Sequence, residues 1–249
     1  MPLIDPVTMS SSGAKAQSSA AKPSLPVELL PSEVARIFTH IHPVLLLSAY
    51  YARFQSLVAD PVHTLLSGLL PLAITQILYA VLCLPATGSD KRPTLKKKLN
   101  APKKASSDNN LMSKVFTVFF ALVLSLLSTP VLAAVQVLFG APITTHLLHT
   151  LLGSAHIALL AAFPLIYVHG SDGAKWREIA SAYSPADEIF GGSVGCLVGA
   201  WLGAVPIPLD WDREWQKWPV TIVTGAYMGY VAGKLIGGRL LKGKRIEFD

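Results

Sequence analysis

Charge is what this sequence has least of. Only 14% of its 249 residues are Asp, Glu, Lys or Arg, where a typical soluble domain carries about 25%. A water-soluble domain of this size covers its surface with charge, so an ordinary cytosolic enzyme is excluded. Cysteine is almost absent. Cys83 and Cys196 are the only two, and both lie inside apolar stretches, where they read as small buried hydrophobes rather than a disulfide framework. Catalytic motifs are missing as well: no glycine-rich phosphate loop beside a Lys-Ser or Lys-Thr pair, no His-Glu-x-x-His, no Gly-x-Ser-x-Gly and no Cys-x-x-Cys. The formal net charge is +6, but no nucleic-acid module stands behind it, so nucleic acid is not an expected partner. No cofactor is expected either.

What the chain has in quantity is apolar residues, 51% of the total, and they are clumped. Six stretches come close to the roughly 20 apolar residues that cross a bilayer: residues 41–59, 62–84, 114–138, 144–168, 189–206 and 218–238. The reading is an all-α membrane protein of about six transmembrane helices. A membrane domain over 39–240 would follow a disordered polar tail over 1–38, whose first 30 residues are rich in Ser, Ala, Lys and Pro. Residues 85–113 form a basic loop and 241–249 a basic C-terminal tail. With both termini cytoplasmic, 18 of the 21 Lys and Arg fall on the cytoplasmic side, as the positive-inside rule requires. Asp60-Pro61 is a very short turn that makes the first two spans a hairpin. Pro43 is expected to open the first span, with His40 and His42 interfacial before it. Arg53 interrupts that span, and a charge within a span is usually paired or snorkels to the membrane surface.

Glycine is patterned. Gly191, Gly195, Gly199 and Gly203 recur every four residues in the fifth span, and Gly225, Gly229, Gly233 and Gly237 repeat the pattern in the sixth. Four-residue spacing keeps them on one helix face. A face without side chains lets another backbone approach closely, so glycine-zipper packing is expected in the last two spans. The fourth span carries His146, His149 and His156 on one stripe, which suits hydrogen bonding between helices or to a partner or lipid. No obvious cluster completes a metal site there. Asp210-Trp211-Asp212-Arg213-Glu214-Trp215, with Trp218, is the most distinctive polar stretch. The tryptophans are spaced like one face of a short helix and suit an interfacial belt or a docking surface. Ser184-Pro185-Ala186-Asp187 fits a helix start with Ser184 as cap, leaving Asp187 and Glu188 as capping groups.

The second half resembles the PIG-F family, called glycosylphosphatidylinositol (GPI) anchor biosynthesis protein 11 in fungi. The resemblance rests on Val137-Leu138-Phe139-Gly140-Ala141-Pro142, Thr145-His146-Leu147-Leu148-His149-Thr150 and Asp187-Glu188-Ile189-Phe190-Gly191-Gly192. It continues through Gly199-Ala200-Trp201-Leu202-Gly203-Ala204, Pro206-Ile207-Pro208-Leu209-Asp210-Trp211-Asp212-Arg213 and Trp215-Gln216-Lys217-Trp218-Pro219. It covers roughly 135–238, and the first half matches in hydropathy and span order. The resemblance implies a multi-pass protein of the endoplasmic reticulum membrane. It also implies a non-catalytic partner that stabilises the large ethanolamine phosphate transferase catalytic subunits of GPI-anchor synthesis. Membrane lipid, phosphatidylethanolamine or the GPI precursor, is a second expected partner. His146, His149, His156, Asp210, Trp211, Asp212, Arg213, Trp215 and Trp218 are the candidate partner or lipid contacts. Two other readings stay open on the residues: a transferase that itself handles phosphatidylethanolamine, and a lipid transporter or scramblase.

Overall fold

A computed structural model of the chain describes residues 24–88, 105–209 and 211–245. Among these residues every regular element is helical and there is no strand. Three helical runs have the length and apolarity to cross a membrane: Pro61–Cys83, Leu111–Leu138 and Leu147–His169. Glu188–Leu202 is apolar but shorter.

Local chemistry sets the helix boundaries. Helix α1 (Glu33–Ala52) starts where the Ser32 hydroxyl accepts the Ala35 N–H at 3.1 Å, with Glu33 in the first turn. This start lies inside the expected tail, because the Ser-Glu pair is a cap that the polar composition of 1–38 hid. Pro43 does not open the helix; it lies buried inside α1, as membrane helices tolerate. Helix α1 ends at Arg53, and α2 (Phe54–Ala59) carries the chain to Asp60. The Asp60 carboxylate caps α3 (Pro61–Cys83) by accepting the His63 N–H at 3.1 Å, with Pro61 in the first turn.

Residues 105–113, expected in the basic loop, are the first turns of α4 (Ala105–Leu127). Ser128 separates it from α5 (Thr129–Leu138), which has Pro130 in its first turn. Helix α6 (Leu147–Ile157) passes through a π turn at Ala158–Ala162 into α7 (Phe163–His169). The short α8 (Gly173–Ala180) is followed by α9 (Glu188–Leu202) and α10 (Val220–Leu235), and a second π turn, Ile236–Leu240, follows α10. The cap of α9 is Asp187, not Ser184. Its Oδ1 accepts the N–H groups of Ile189 at 2.9 Å and Phe190 at 2.8 Å. A carboxylate takes two donors at once and meets the positive end of the helix, which a hydroxyl does less well.

Helices α9 and α10 lie side by side, α1 and α6 pack on α3, α4 on α7, and α5 on α6. One core cluster gathers Leu57, Leu65, Ile157, Leu160, Val223 and Tyr227. Another gathers Tyr79, Cys83, Leu84, Phe163, Tyr167 and Ile189. Outward faces are apolar too: Leu70 is 70% exposed and Phe116 67%. Helices apolar on both faces suit a lipid surround.

Residues 24–30, also expected in the tail, run against the bundle. The N–H of Val27 donates to Asp187 Oδ2 at 2.9 Å and that of Leu30 to the Cys83 carbonyl at 2.8 Å. The C-terminal residues reach the same place. Ala186 and Lys244 are joined by an N–H to carbonyl bond of 2.8 Å, Gly243 donates to the Ala186 carbonyl at 2.8 Å, and Lys242 pairs with Glu28 at 3.0 Å.

Candidate functional site

The two glycine series meet. Gly191, Gly195, Gly199 and Gly203 face Gly225, Gly229, Gly233 and Gly237 across the α9–α10 contact. A Cβ built on Gly195 would lie 2.7 Å from Gly233 Cα, and one on Gly199 2.8 Å from Gly229 Cα. The reciprocal additions at Gly229 and Gly233 would each lie 2.8 Å from a facing glycine Cα. Each addition would also overlap a facing carbonyl oxygen, so these positions admit no side chain. At the ends of the seam other backbone joins the glycines: Gly203 meets the Thr221 carbonyl, and Gly237 meets the Asp187 carbonyl as well as Gly191.

The histidine stripe divides. His146 is exposed just before α6, and His149 is half-buried with its ring 4.9 Å from that of His146. His156 is buried and fully engaged: Nδ1 lies 2.8 Å from the Tyr227 hydroxyl and Nε2 2.9 Å from the Leu65 carbonyl. It ties α6 to α3 and α10, and it is not accessible to a partner or lipid. The other two remain at the surface.

The 206–218 loop is built around Gln216 rather than its acids. The Gln216 amide donates to the carbonyls of Pro206 at 2.7 Å and Leu209 at 2.8 Å, and its Oε1 accepts the Arg213 N–H at 2.8 Å. Among the described residues of the loop the regular structure is a 3-10 turn at Glu214–Gln216, so the three tryptophans do not share a helix face. Trp211 is 53% exposed and its ring lies 5.9 Å from that of half-buried Trp215. Trp218 turns inward and donates its indole N–H to Thr150 Oγ1 at 3.1 Å. Asp212 and Arg213 are exposed. Asp210 lies outside the described residues.

Sequence reading missed the main polar cluster. Lys234 of α10, 2% exposed, places its ammonium 3.6 Å from Glu188 Oε2 at the start of α9. The same oxygen accepts the hydroxyls of Thr39 at 2.7 Å and Tyr79 at 3.1 Å. The ammonium donates to the Thr39 carbonyl at 3.3 Å and sits 3.6 Å from the centre of the Tyr79 ring. His42, expected at the interface, is buried and stacks on Tyr79 at 4.4 Å. Four helices, α1, α3, α9 and α10, therefore converge on one ion pair. Glu188 is part of this pair, and capping falls to Asp187. Burial pushes the Asp187 carboxyl above its ordinary value, while the N–H groups of Val27, Phe190 and Ile189 hold it back. The available signal was opposite charge at adjoining ends of two consecutive spans.

The sequence also matches a family model, that of the GPI biosynthesis protein family Pig-F, over residues 41–238. The chain belongs to the Pig-F family. It is 45% identical to glycosylphosphatidylinositol anchor biosynthesis protein 11 of Neurospora crassa, over 98% of this chain and all of that protein. With the protein of that name from Aspergillus fumigatus it shares 44% identity over 92% of this chain and 88% of the relative. The Homo sapiens relative, "GPI ethanolamine phosphate transferase, stabilizing subunit", is 34% identical over 54% of this chain and 64% of its own. No solved structure matches.

Proposed function

We propose that this Pig-F chain is a non-catalytic accessory subunit of GPI-anchor synthesis that binds and stabilises the ethanolamine phosphate transferase catalytic subunits in the endoplasmic reticulum membrane. The carrying observation is membership of a family whose human member is named the stabilizing subunit of that transferase. The geometry agrees. Three polar contacts serve to hold the chain to itself: Glu188 with Lys234 and His156 with Tyr227 join helices, and Gln216 braces its own loop. The reading in which a three-histidine stripe handles lipid loses its deepest member to the core.

The topology in this reading is six spans with both termini cytoplasmic, and the α9–α10 glycine seam is its zipper. The 206–218 loop is then luminal. Trp211, Asp212 and Arg213, consecutive and exposed, are its partner-facing side. Beside them a groove of about 720 Å³ runs between α5, α9 and the loop, with Leu132, Gln136, Phe139, Trp201 and Trp218 on its walls. It is assigned to the membrane portion of the catalytic subunit. Replacing Trp211 and Arg213 together by Ala is expected to cut recovery of the tagged complex roughly tenfold, the effect of about 1.4 kcal/mol. Unchanged recovery and unchanged phosphoethanolamine transfer would remove the loop from the interface. Transfer by the isolated chain would overturn the accessory role itself.

A further inference from the structure

Arg53 stands where α1 gives way to α2, seven residues before the Asp60-Pro61 turn. At ~1.5 Å per residue that is about 10 Å along the helical hairpin from its tip. Its guanidinium donates to the Ser67 hydroxyl of α3. Among the described residues no carboxylate pairs with it; the nearby Asp60 carboxylate is committed to the cap of α3. Within a bilayer a cation is expensive and finds an anion or water. The described residues supply no countercharge, only the Ser67 hydroxyl, which accepts from the guanidinium and donates to the His63 carbonyl at 2.7 Å.

Arg53 also lines a cleft of about 70 Å³, together with Leu46, Tyr50, Pro71, Thr75 and His156. Exposed Ala49 and Pro71 flank it on the outside of the bundle. The cleft has a direction. Leu46 and Thr75 are fourteen and fifteen residues from Asp60, about 21 to 23 Å along the helices. It therefore runs from a cationic end near the hairpin tip to an apolar end deep in the membrane. That order of chemistry, charge first and hydrocarbon after, is the order found along a phospholipid. His156, on its wall, has both ring nitrogens occupied, so the guanidinium is the group left to meet an anion.

We propose that the α1–α3 seam is a phospholipid seat in which the Arg53 guanidinium, positioned by the Ser67 hydroxyl, holds the lipid phosphate and the Leu46–Thr75 end receives the start of an acyl chain. This goes beyond the accessory-subunit reading and does not depend on it, because the seat lies wholly within this chain. A charge-assisted bond from guanidinium to phosphate is among the stronger polar contacts and replaces the missing carboxylate.

The test uses the full chain purified in a mild maltoside detergent. Cys83 and Cys196 are free and buried, so a thiol-reactive dye reports unfolding. Dioctanoyl phosphatidic acid is expected to raise the melting temperature, and dioctanoylglycerol and inorganic phosphate are not. R53Q is expected to weaken the apparent affinity for dioctanoyl phosphatidic acid at least tenfold, with R53K and S67A falling between it and the parent. If R53Q does not fold, R53K and S67A carry the test. A parent-like response from R53Q, or from both R53K and S67A, overturns the proposal. An equal shift with dioctanoylglycerol makes the cleft merely apolar, and an equal shift with inorganic phosphate makes the site one for free anions; either result overturns the lipid seat. Loss of the lipid response with normal recovery of a transferase subunit separates this site from the partner interface.

Discussion

Lys234 placed in apolar surroundings without Glu188 would be a charge with no anion. The pair is held in place by the Thr39 and Tyr79 hydroxyls, so breaking it exposes more than one polar group. Replacing Glu188 by Gln alone, or Lys234 by Met alone, is expected to destabilise the fold by about 3 kcal/mol, the range for unpairing a buried ion. The double variant is expected to recover much of that loss, because the two unpaired charges disappear together. Thermal unfolding of the four proteins in detergent measures the coupling; additive losses would show that the pair is not a unit. Arg53 was legible as an anomaly, because a charge within an apolar run stands out by itself. Lys234 was not, because near a span end it merges with the basic tail and is counted toward orientation. His42 was misplaced for a related reason: beside Pro43 it looked like a helix opening, and the Ser32 cap had already started that helix earlier in the chain.

At the level of helices, the four-residue glycine rhythm was readable because geometry alone puts such residues on one face. Which face it would meet was a matter of pairing, and the carbonyl contacts supply it. G195A and G229A are each expected to cost about 1–3 kcal/mol, as overpacking does, and to lower the melting temperature in detergent. Gly173, in the first turn of α8, is the control. Nothing lies within 4 Å of a Cβ added there, so G173A is expected to be neutral or to stabilise by up to about 1 kcal/mol. Equal losses at all three positions would deny the seam its special status. Helix edges were less legible than helix faces. Asp187 and Ser184 are both good caps by residue type, and only the short N–H contacts to Asp187 decide between them. The tryptophans of the 206–218 loop were misread through spacing, since a loop folded around one glutamine amide has no helical period.

For the molecule as a whole, hydropathy gave the helical class and pointed to the three runs that are long and apolar enough to cross a membrane. It marked the interruption at Arg53 but not those at Ser128 and Ala158–Ala162, which depend on proline placement and packing. The proposed topology is checked by accessibility. Cys83 and Cys196 are fully buried, so the parent is expected to react little with a membrane-impermeant maleimide in sealed microsomes. S181C is expected to label from outside the vesicle, and R213C only after permeabilisation. Labelling of both from outside would overturn the orientation.

The two ends of the described chain also clasp one place, the residues just before α9. Ribosomes deliver residues 24–28 long before residues 242–245. The seat for Val27 is made by Asp187, and Glu28 has its cation on Lys242. Val27 and Glu28 therefore wait for partners made 160 and 214 residues later. The clasp cannot close until residue 242 has emerged, which makes it a late, long-range step of folding.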